Sequence, residues 1–212
     1  KFKEHPDETR HKIVNSTIDM LCNLHLGQGN DIYWCEYGLC PTYQSYLNMI
    51  DGKTVSLFKC CAELCGIVGN KKIAKELSEL YELIGRYMQQ RDDYCNLTDP
   101  AYWKAKGFFE DLDEGKYGML FLHYLDNKTV TDEEKTYVRE HMLKGNVDIE
   151  NKLKIYSMIY DSGSTQDCYN ILENMRLEIL DKLNNRSKTL SKVMDKLYLV
   201  QPIVPENVNT YL

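Results

Sequence analysis

Helical spacing of apolar residues runs from one end of this chain to the other, and it rules out most architectures at once. Apolar residues recur at three- and four-residue intervals, as in Ile13, Ile18, Leu21, Leu24 and Ile32, while no stretch alternates with period two between hairpin turns. The fold class expected is therefore all-α. A first helix is predicted over residues 7–34. Thr42, after Cys40-Pro41, caps a second helix carrying Tyr46, Met49, Ile50 and Leu57. Gly66 and Gly69-Asn70 mark a break, and a third helix over 71–96 carries Leu77, Leu80, Ile84 and Met88 before Asp99-Pro100 stops it. Beyond a loop at 106–116, further helices are expected over 117–125, 131–143, 148–161, 165–185 and 190–199. Helices of this number and length pack as an antiparallel bundle around a central cavity. A chain of 212 residues buries one substantial core, so 1–212 reads as a single domain.

Composition excludes several functions. The net charge is -6 and no run of five basic residues occurs, which argues against a nucleic-acid surface. The longest apolar stretch, 117–125, contains His123 and falls far short of the roughly 20 residues a membrane span needs. A soluble, cytoplasmic protein is expected. Of the eight cysteines, Cys60, Cys61 and Cys65 follow the apolar helical pattern and no paired CxxC units occur, so reduced core thiols are expected rather than disulfides or zinc. Sequons start at Asn15, Asn96, Asn127 and Asn185, and are read as chance in an Asn-rich chain. The chain opens at Lys1 without a methionine, so its natural start is expected upstream.

The chemistry concentrates near the end of the third predicted helix. Gln89, Asp92, Asp93 and Asn96 are spaced i, i+3, i+4 and i+7 and share one face as a polar stripe. Mg²⁺ keeps several waters and is usually held by one or two carboxylates together with substrate phosphate oxygens, which suits such a stripe. Lys106 and Lys116, flanking Gly107-Phe108-Phe109-Glu110-Asp111-Leu112-Asp113-Glu114-Gly115, supply positive charge nearby. Alone, an Asp-Asp pair is more often a solvated helix face. Gln28 and Asp31, at i and i+3, fit an interhelical hydrogen bond as well as catalysis. His25 and His123 lack ligand-spaced partners and are read as core histidines. The acidic group at 110–114 is expected to favour the N-terminus of the helix that follows it.

Two further segments bring this stripe into a larger pattern: Leu24-His25-Leu26-Gly27-Gln28-Gly29-Asn30-Asp31-Ile32-Tyr33-Trp34, and Tyr46-Leu47-Asn48-Met49-Ile50-Asp51-Gly52-Lys53-Thr54. With Met88-Gln89-Gln90-Arg91-Asp92-Asp93-Tyr94-Cys95-Asn96-Leu97 and the segment from Lys106 to Lys116, these blocks resemble, in order and over about residues 1–200, the C-terminal two-thirds of geranylgeranyl diphosphate synthases, a branch of the trans-isoprenyl diphosphate synthases. The resemblance implies an isoprenoid-synthase-like bundle and a Mg²⁺ cofactor. It also implies isopentenyl and allylic diphosphates as substrates, and at least a homodimer. It assigns Asp92, Asp93 and Asn96 to the metal, and Lys53, Lys106, Lys116 and Gln28 to the diphosphates. Lys53, Thr54, Gln89 and Asp31 are assigned to the catalytic cavity beneath them.

Some positions depart from the family pattern. A first aspartate-rich motif, expected well before His25, has no counterpart, since Asp92-Asp93 is the only adjacent Asp pair. A missing N-terminal third is expected to account for that, the alternative being a subunit that never had the motif. Val55-Ser56, Arg86-Tyr87-Met88 and Tyr117-Gly118-Met119-Leu120 replace family residues and are expected to reshape the cavity while the diphosphate machinery is kept. The leading expectation is a prenyl elongase. The alternatives are a terpene synthase of the same fold, which ionises an allylic diphosphate to a hydrocarbon or alcohol, and a noncatalytic subunit.

Overall fold

The computed structural model describes residues 5–69, 71–183 and 187–212, so Asn70 and Asn185, and the predicted features that fall on them, lie outside the described residues. Among the described residues there is no strand. Helix α1 (Asp7–Tyr37) ends where Gly38 adopts φ +60°, the left-handed conformation that glycine enters at no steric cost, and the Gly38 and Leu39 amides close its last turn. Thr42 then caps α2 (Tyr43–Ile50), its Oγ1 accepting from the Ser45 amide at 3.1 Å. The second helix is not regular. A π-helical turn at Asp51–Val55 interrupts it before α3 (Ser56–Val68).

The long α4 (Lys71–Thr98) is packed on by α3, the π turn and α10 (Ser164–Leu183). Asp99 restarts the chain as the cap of α5 (Pro100–Lys106), with Pro100 at the helical position where a missing N–H costs nothing. The loop expected at 106–116 contains a single turn, α6 (Glu110–Asp113). It is followed by α7 (Met119–Asp126), α8 (Asp132–Lys144), α9 (Ile149–Asp161), then α10, α11 (Lys188–Lys196) and α12 (Pro205–Val208). The core gathers Tyr46, Ile50, Tyr87, Tyr94, Phe109, Leu112, Tyr124, Ile155 and Ile159, all nearly or fully buried. Phe109 sits at φ 56°, uncommon for a residue with a side chain, and its ring stacks on Phe121 at 5.2 Å.

Some faces differ from expectation. Helix α1 buries Ser16, Gly27 and Asp31 against α3 and the π turn, and leaves Val14, Ile18, Leu21 and Ile32 exposed on another face. Leu57, Cys61 and Cys65 point to solvent, whereas Cys60, Cys95 and Cys168 are core thiols; all eight cysteines are unpaired. The 110–114 acids do not serve the following helix. They form α6 itself, and Asp113 instead holds Lys152 and the Val147 amide. No helix among the described residues is long and apolar enough to cross a membrane.

Candidate active site

The site starts from two glycines. A Cβ on Gly27 would lie 2.3 Å from the Lys53 amide nitrogen and 2.7 Å from the Met49 carbonyl oxygen, and one on Gly52 would lie 2.8 Å from the Asn23 carbonyl oxygen. Backbones therefore meet where α1 crosses the π turn. That approach sets Asp31, one helical turn beyond Gly27 and buried, against Lys53 with Nζ to Oδ2 at 2.6 Å. The π turn carries one extra residue per turn, a feature frequent at functional sites. It is braced by Ser56, whose hydroxyl donates to the Gly52 carbonyl at 2.5 Å. Thr54, next to Lys53, crosses to α4, where its Oγ1 donates to Gln89 Oε1 at 2.8 Å. Gln89 in turn donates from Nε2 to Asp93 Oδ1 at 3.0 Å.

Asp93 is the hub of this network. Its Oδ2 accepts from Tyr46 at 2.5 Å and from the Met119 amide at 3.0 Å, so one carboxylate ties α2, α4 and the start of α7 together. Burial pushes its carboxyl up, against the pull of those donors. Asp92 has a different environment. It is half-exposed, and Oδ1 accepts from Tyr102 at 3.0 Å and from Lys106 at 3.4 Å. Asn96 is buried, with its Oδ1 accepting from the Asp111 amide at 3.2 Å. Burial, reinforced by Asp93, pushes the Asp111 carboxyl up to about 7 although Lys116 opposes the shift. Lys116 lies 3.5 Å from Asp111 and pairs closely with Glu114; burial lowers its pKa, but the two acids outweigh that and hold it above the usual lysine range.

Each of the three lysines singled out from the sequence thus rests on a carboxylate: Lys53 on Asp31, Lys106 on Asp92, and Lys116 on Asp111 and Glu114. Among the described residues no group of three or more His, Cys, Asp or Glu side chains converges to hold an ion unaided. That fits a cation shared with a ligand: Asp92 offers one half-exposed carboxylate, while the side-chain oxygens of Asp93 and the Asn96 oxygen are already engaged by protein donors. Gln28 stands apart, half-buried on α1 and making no side-chain hydrogen bond among the described residues.

The residues expected to reshape the cavity divide between the site and the core: Ser56 braces the π turn, and Gly118 and the Met119 amide lie against Asp93, while others are packed away from these contacts. Tyr87 is fully buried with its hydroxyl on the Leu197 carbonyl, and Val55 is sunk against Gly85 of α4. Arg86 makes a bidentate pair with Asp51, both contacts at 2.7 Å. Neither histidine is a satisfied core residue: His25 is exposed, and His123, half-buried, has a buried Nδ1 without a partner. Tyr46 and Tyr102 complete the site. In the sequence, Tyr46 reads as an apolar core position; Tyr102 stands four residues before Lys106, a spacing that aligns the pair on one helix face.

Known proteins are similar to this chain to different extents. A geranylgeranyl pyrophosphate synthase of Phomopsis amygdali is 34% identical over 187 residues, covering 82% of this chain and 47% of that protein. A bifunctional type I diterpene synthase of Aspergillus flavipes is 30% identical over 162 residues, covering 76% of this chain and 21% of that protein. This chain therefore spans about half or less of the curated relatives it matches. Its fold is that of geranylgeranyl pyrophosphate synthase from Corynebacterium glutamicum, whose structure holds isoprenyl diphosphate and magnesium; the TM-score is 0.76 at 18% identity, over 91% of this chain and 55% of that one. Residues 2–159 match polyprenyl synthetase as a family, with the crossing of α1, the π turn and the Asp92-Asp93 face inside the matched span, and the chain belongs to that family.

Proposed function

We propose that this chain carries the diphosphate-gripping part of a Mg²⁺-dependent prenyltransferase, which joins isopentenyl diphosphate to an allylic diphosphate and releases a longer trans-isoprenyl diphosphate, with geranylgeranyl diphosphate as the product. The observation that carries this reading is the set of three lysines, each resting on an acid, with Lys106 on the half-exposed carboxylate of Asp92. An arriving diphosphate offers those lysines phosphate oxygens in exchange for their carboxylates, and the released Asp92 faces a cation at the same place. Membership of the polyprenyl synthetase family supports the same chemistry.

The reaction divides the work between residues. The allylic C–O bond breaks, and its electron pair leaves with the diphosphate, whose developing charge Lys53, Lys106 and Lys116 stabilise through oriented N–H donors. When bound at Asp92, Mg²⁺ supplies further charge neutralisation of the leaving group. Asp93 and Asn96 hold the Asp92 helix against α2, α7 and α6, which keeps the metal-facing carboxylate in register. Thr54 and Gln89 set a chain of dipoles beneath the diphosphates where the allylic cation forms. The double bond of isopentenyl diphosphate then attacks that cation, and loss of a proton restores neutrality. Gln28, half-buried on α1, is assigned to the diphosphate as well. The exposed strip of Val14, Ile18, Leu21 and Ile32 supports an assembly of at least two copies, which light scattering measures directly.

The test is to incubate the protein with geranyl or farnesyl diphosphate, with and without isopentenyl diphosphate, and to identify products by mass spectrometry. A lengthened diphosphate that requires isopentenyl diphosphate supports the proposal. A hydrocarbon or alcohol formed from the allylic substrate alone replaces it with a terpene synthase, and consumption of neither substrate replaces it with a noncatalytic subunit.

A further inference from the structure

Helix α5 is short, yet its sequence ensures that it forms where it does. Asp99 accepts from the Ala101 amide, Pro100 starts the helix, and buried Trp103 anchors it against Phe108 at 4.9 Å. Tyr102 and Lys106 are then one turn apart on the face that meets α4, and both donate to the same oxygen, Asp92 Oδ1. The lysine also lies 5.0 Å from the centre of the Tyr102 ring. The two donors differ in kind. Lys106 reaches Asp92 at 3.4 Å on a long, half-exposed side chain, whereas Tyr102 reaches it at 3.0 Å from a ring with two rotatable bonds.

We propose that Tyr102 is the positioning residue for the metal-binding carboxylate: it holds Asp92 Oδ1, leaving the other carboxylate oxygen available to a cation, and it keeps that hold when Lys106 leaves Asp92 for the diphosphate. The proposal rests on the assignment of Asp92 to the metal made above. Without Tyr102, the carboxylate is fixed by Lys106 alone, and the arrival of diphosphate removes that restraint at the moment the metal must be held. Partners of metal ligands in this outer position typically change metal affinity by about 10- to 100-fold when removed. Since Tyr102 is one hydroxyl on a half-exposed carboxylate, the low end applies.

The experiment titrates Mn²⁺ into the protein with inorganic diphosphate present, following free Mn²⁺ by electron paramagnetic resonance, for the wild type, Tyr102→Phe, Lys106→Met and Asp92→Asn. A separate titration measures diphosphate binding without metal. Tyr102→Phe keeps the ring and removes only the hydroxyl, so its melting temperature is expected to stay within a degree or two of wild type. Its Mn²⁺ dissociation constant is expected to rise about tenfold with diphosphate affinity unchanged. Lys106→Met is expected to show the reverse, with weakened diphosphate binding and a smaller loss of Mn²⁺ affinity. If Tyr102→Phe binds Mn²⁺ within twofold of wild type while Asp92→Asn does not bind it, the positioning role is overturned and the metal assignment stands. If Asp92→Asn binds Mn²⁺ as wild type does, both are overturned.

Discussion

Two glycines two residues apart on α1 are expected to respond to the same substitution in opposite directions. At Gly29 an added Cβ meets nothing within 4 Å, so Gly29→Ala gains only the helix preference of alanine, about 0.5–1 kcal/mol. At Gly27 the same methyl lands 2.3 Å from the Lys53 nitrogen and 2.7 Å from the Met49 oxygen, and neither is the free end of a side chain that can swing away. To restore ordinary contact, α1 and the π turn must separate by roughly 1 Å, within the overpacking regime of about 1–3 kcal/mol, at its upper end because backbone moves. After the same alanine preference is subtracted, Gly27→Ala is expected to destabilise by about 1–2 kcal/mol. For a chain of this size 1 kcal/mol moves the melting temperature by about 2–4 °C. Gly27→Ala should therefore melt about 2–8 °C lower, and Gly29→Ala about 1–4 °C higher, by calorimetry. The separation also stretches Lys53 from Asp31, so Gly27→Ala should weaken diphosphate binding while Gly29→Ala leaves it unchanged. Equal melting shifts for the two variants would refute the crossing as the feature that assembles the site.

Other perturbations probe the supports around the site. Tyr46→Phe removes one donor from buried Asp93 and should cost about 1.5–3 kcal/mol by urea unfolding, the usual range for a hydrogen bond to a charged group; a loss below about 0.5 would mean that Gln89 and the Met119 amide suffice. The bidentate pair of Arg86 with Asp51 is about one-third exposed, so a double-mutant cycle with Arg86→Met and Asp51→Asn should give a coupling near 1 kcal/mol, and a coupling indistinguishable from zero would make it a surface contact only. Thr131 and Glu134 form a capping box on α8, and Thr131→Ala should lower stability by about 1 kcal/mol. The Thr131 amide and hydroxyl hold the Glu134 carboxyl below its ordinary 4.5, so its contribution is present above that value and fades as the pH falls through the lowered pKa. The protection of the first-turn amides of α8, taken relative to their intrinsic exchange rate at each pH, should fall on acidification in wild type but not in Glu134→Gln; identical pH profiles would contradict the cap.

Local chemistry was legible where it is local. Thr42, Asp99-Pro100 and the spacing of Gln89, Asp92, Asp93 and Asn96 each state in a few residues where a helix starts, stops or turns polar, and the structure has those features at those positions. What stayed hidden depends on partners distant in sequence. Asp93 takes its donors from Tyr46, 47 residues away, and from the Met119 amide, 26 away, and no spacing rule reaches that far. Periodicity shows that α1 has an apolar face but not what covers it, so Ile18 and Leu21 read as core and lie at the surface. The π turn lies where Gly52 meets Gly27 of α1, 25 residues away in sequence, and a regular helix was expected there because no local spacing shows that contact. Tyr87 was singled out as a departure from the family pattern, and its bond to the Leu197 carbonyl, 110 residues away, fixes it in the core, a partner no local spacing shows.

Calorimetric titration of the protein with farnesyl thiolodiphosphate, a non-ionising allylic analogue, in Mg²⁺ and again in chelator, for wild type and Asp92→Asn, tests the central claim most directly. The account predicts saturable binding by wild type in Mg²⁺ that weakens at least about a hundredfold, or ~2.7 kcal/mol, on chelation and to a similar extent in Asp92→Asn, with the melting temperature of the variant little changed. Binding that is equally tight with and without metal, or equally tight in Asp92→Asn, would contradict a metal-bridged diphosphate at this carboxylate.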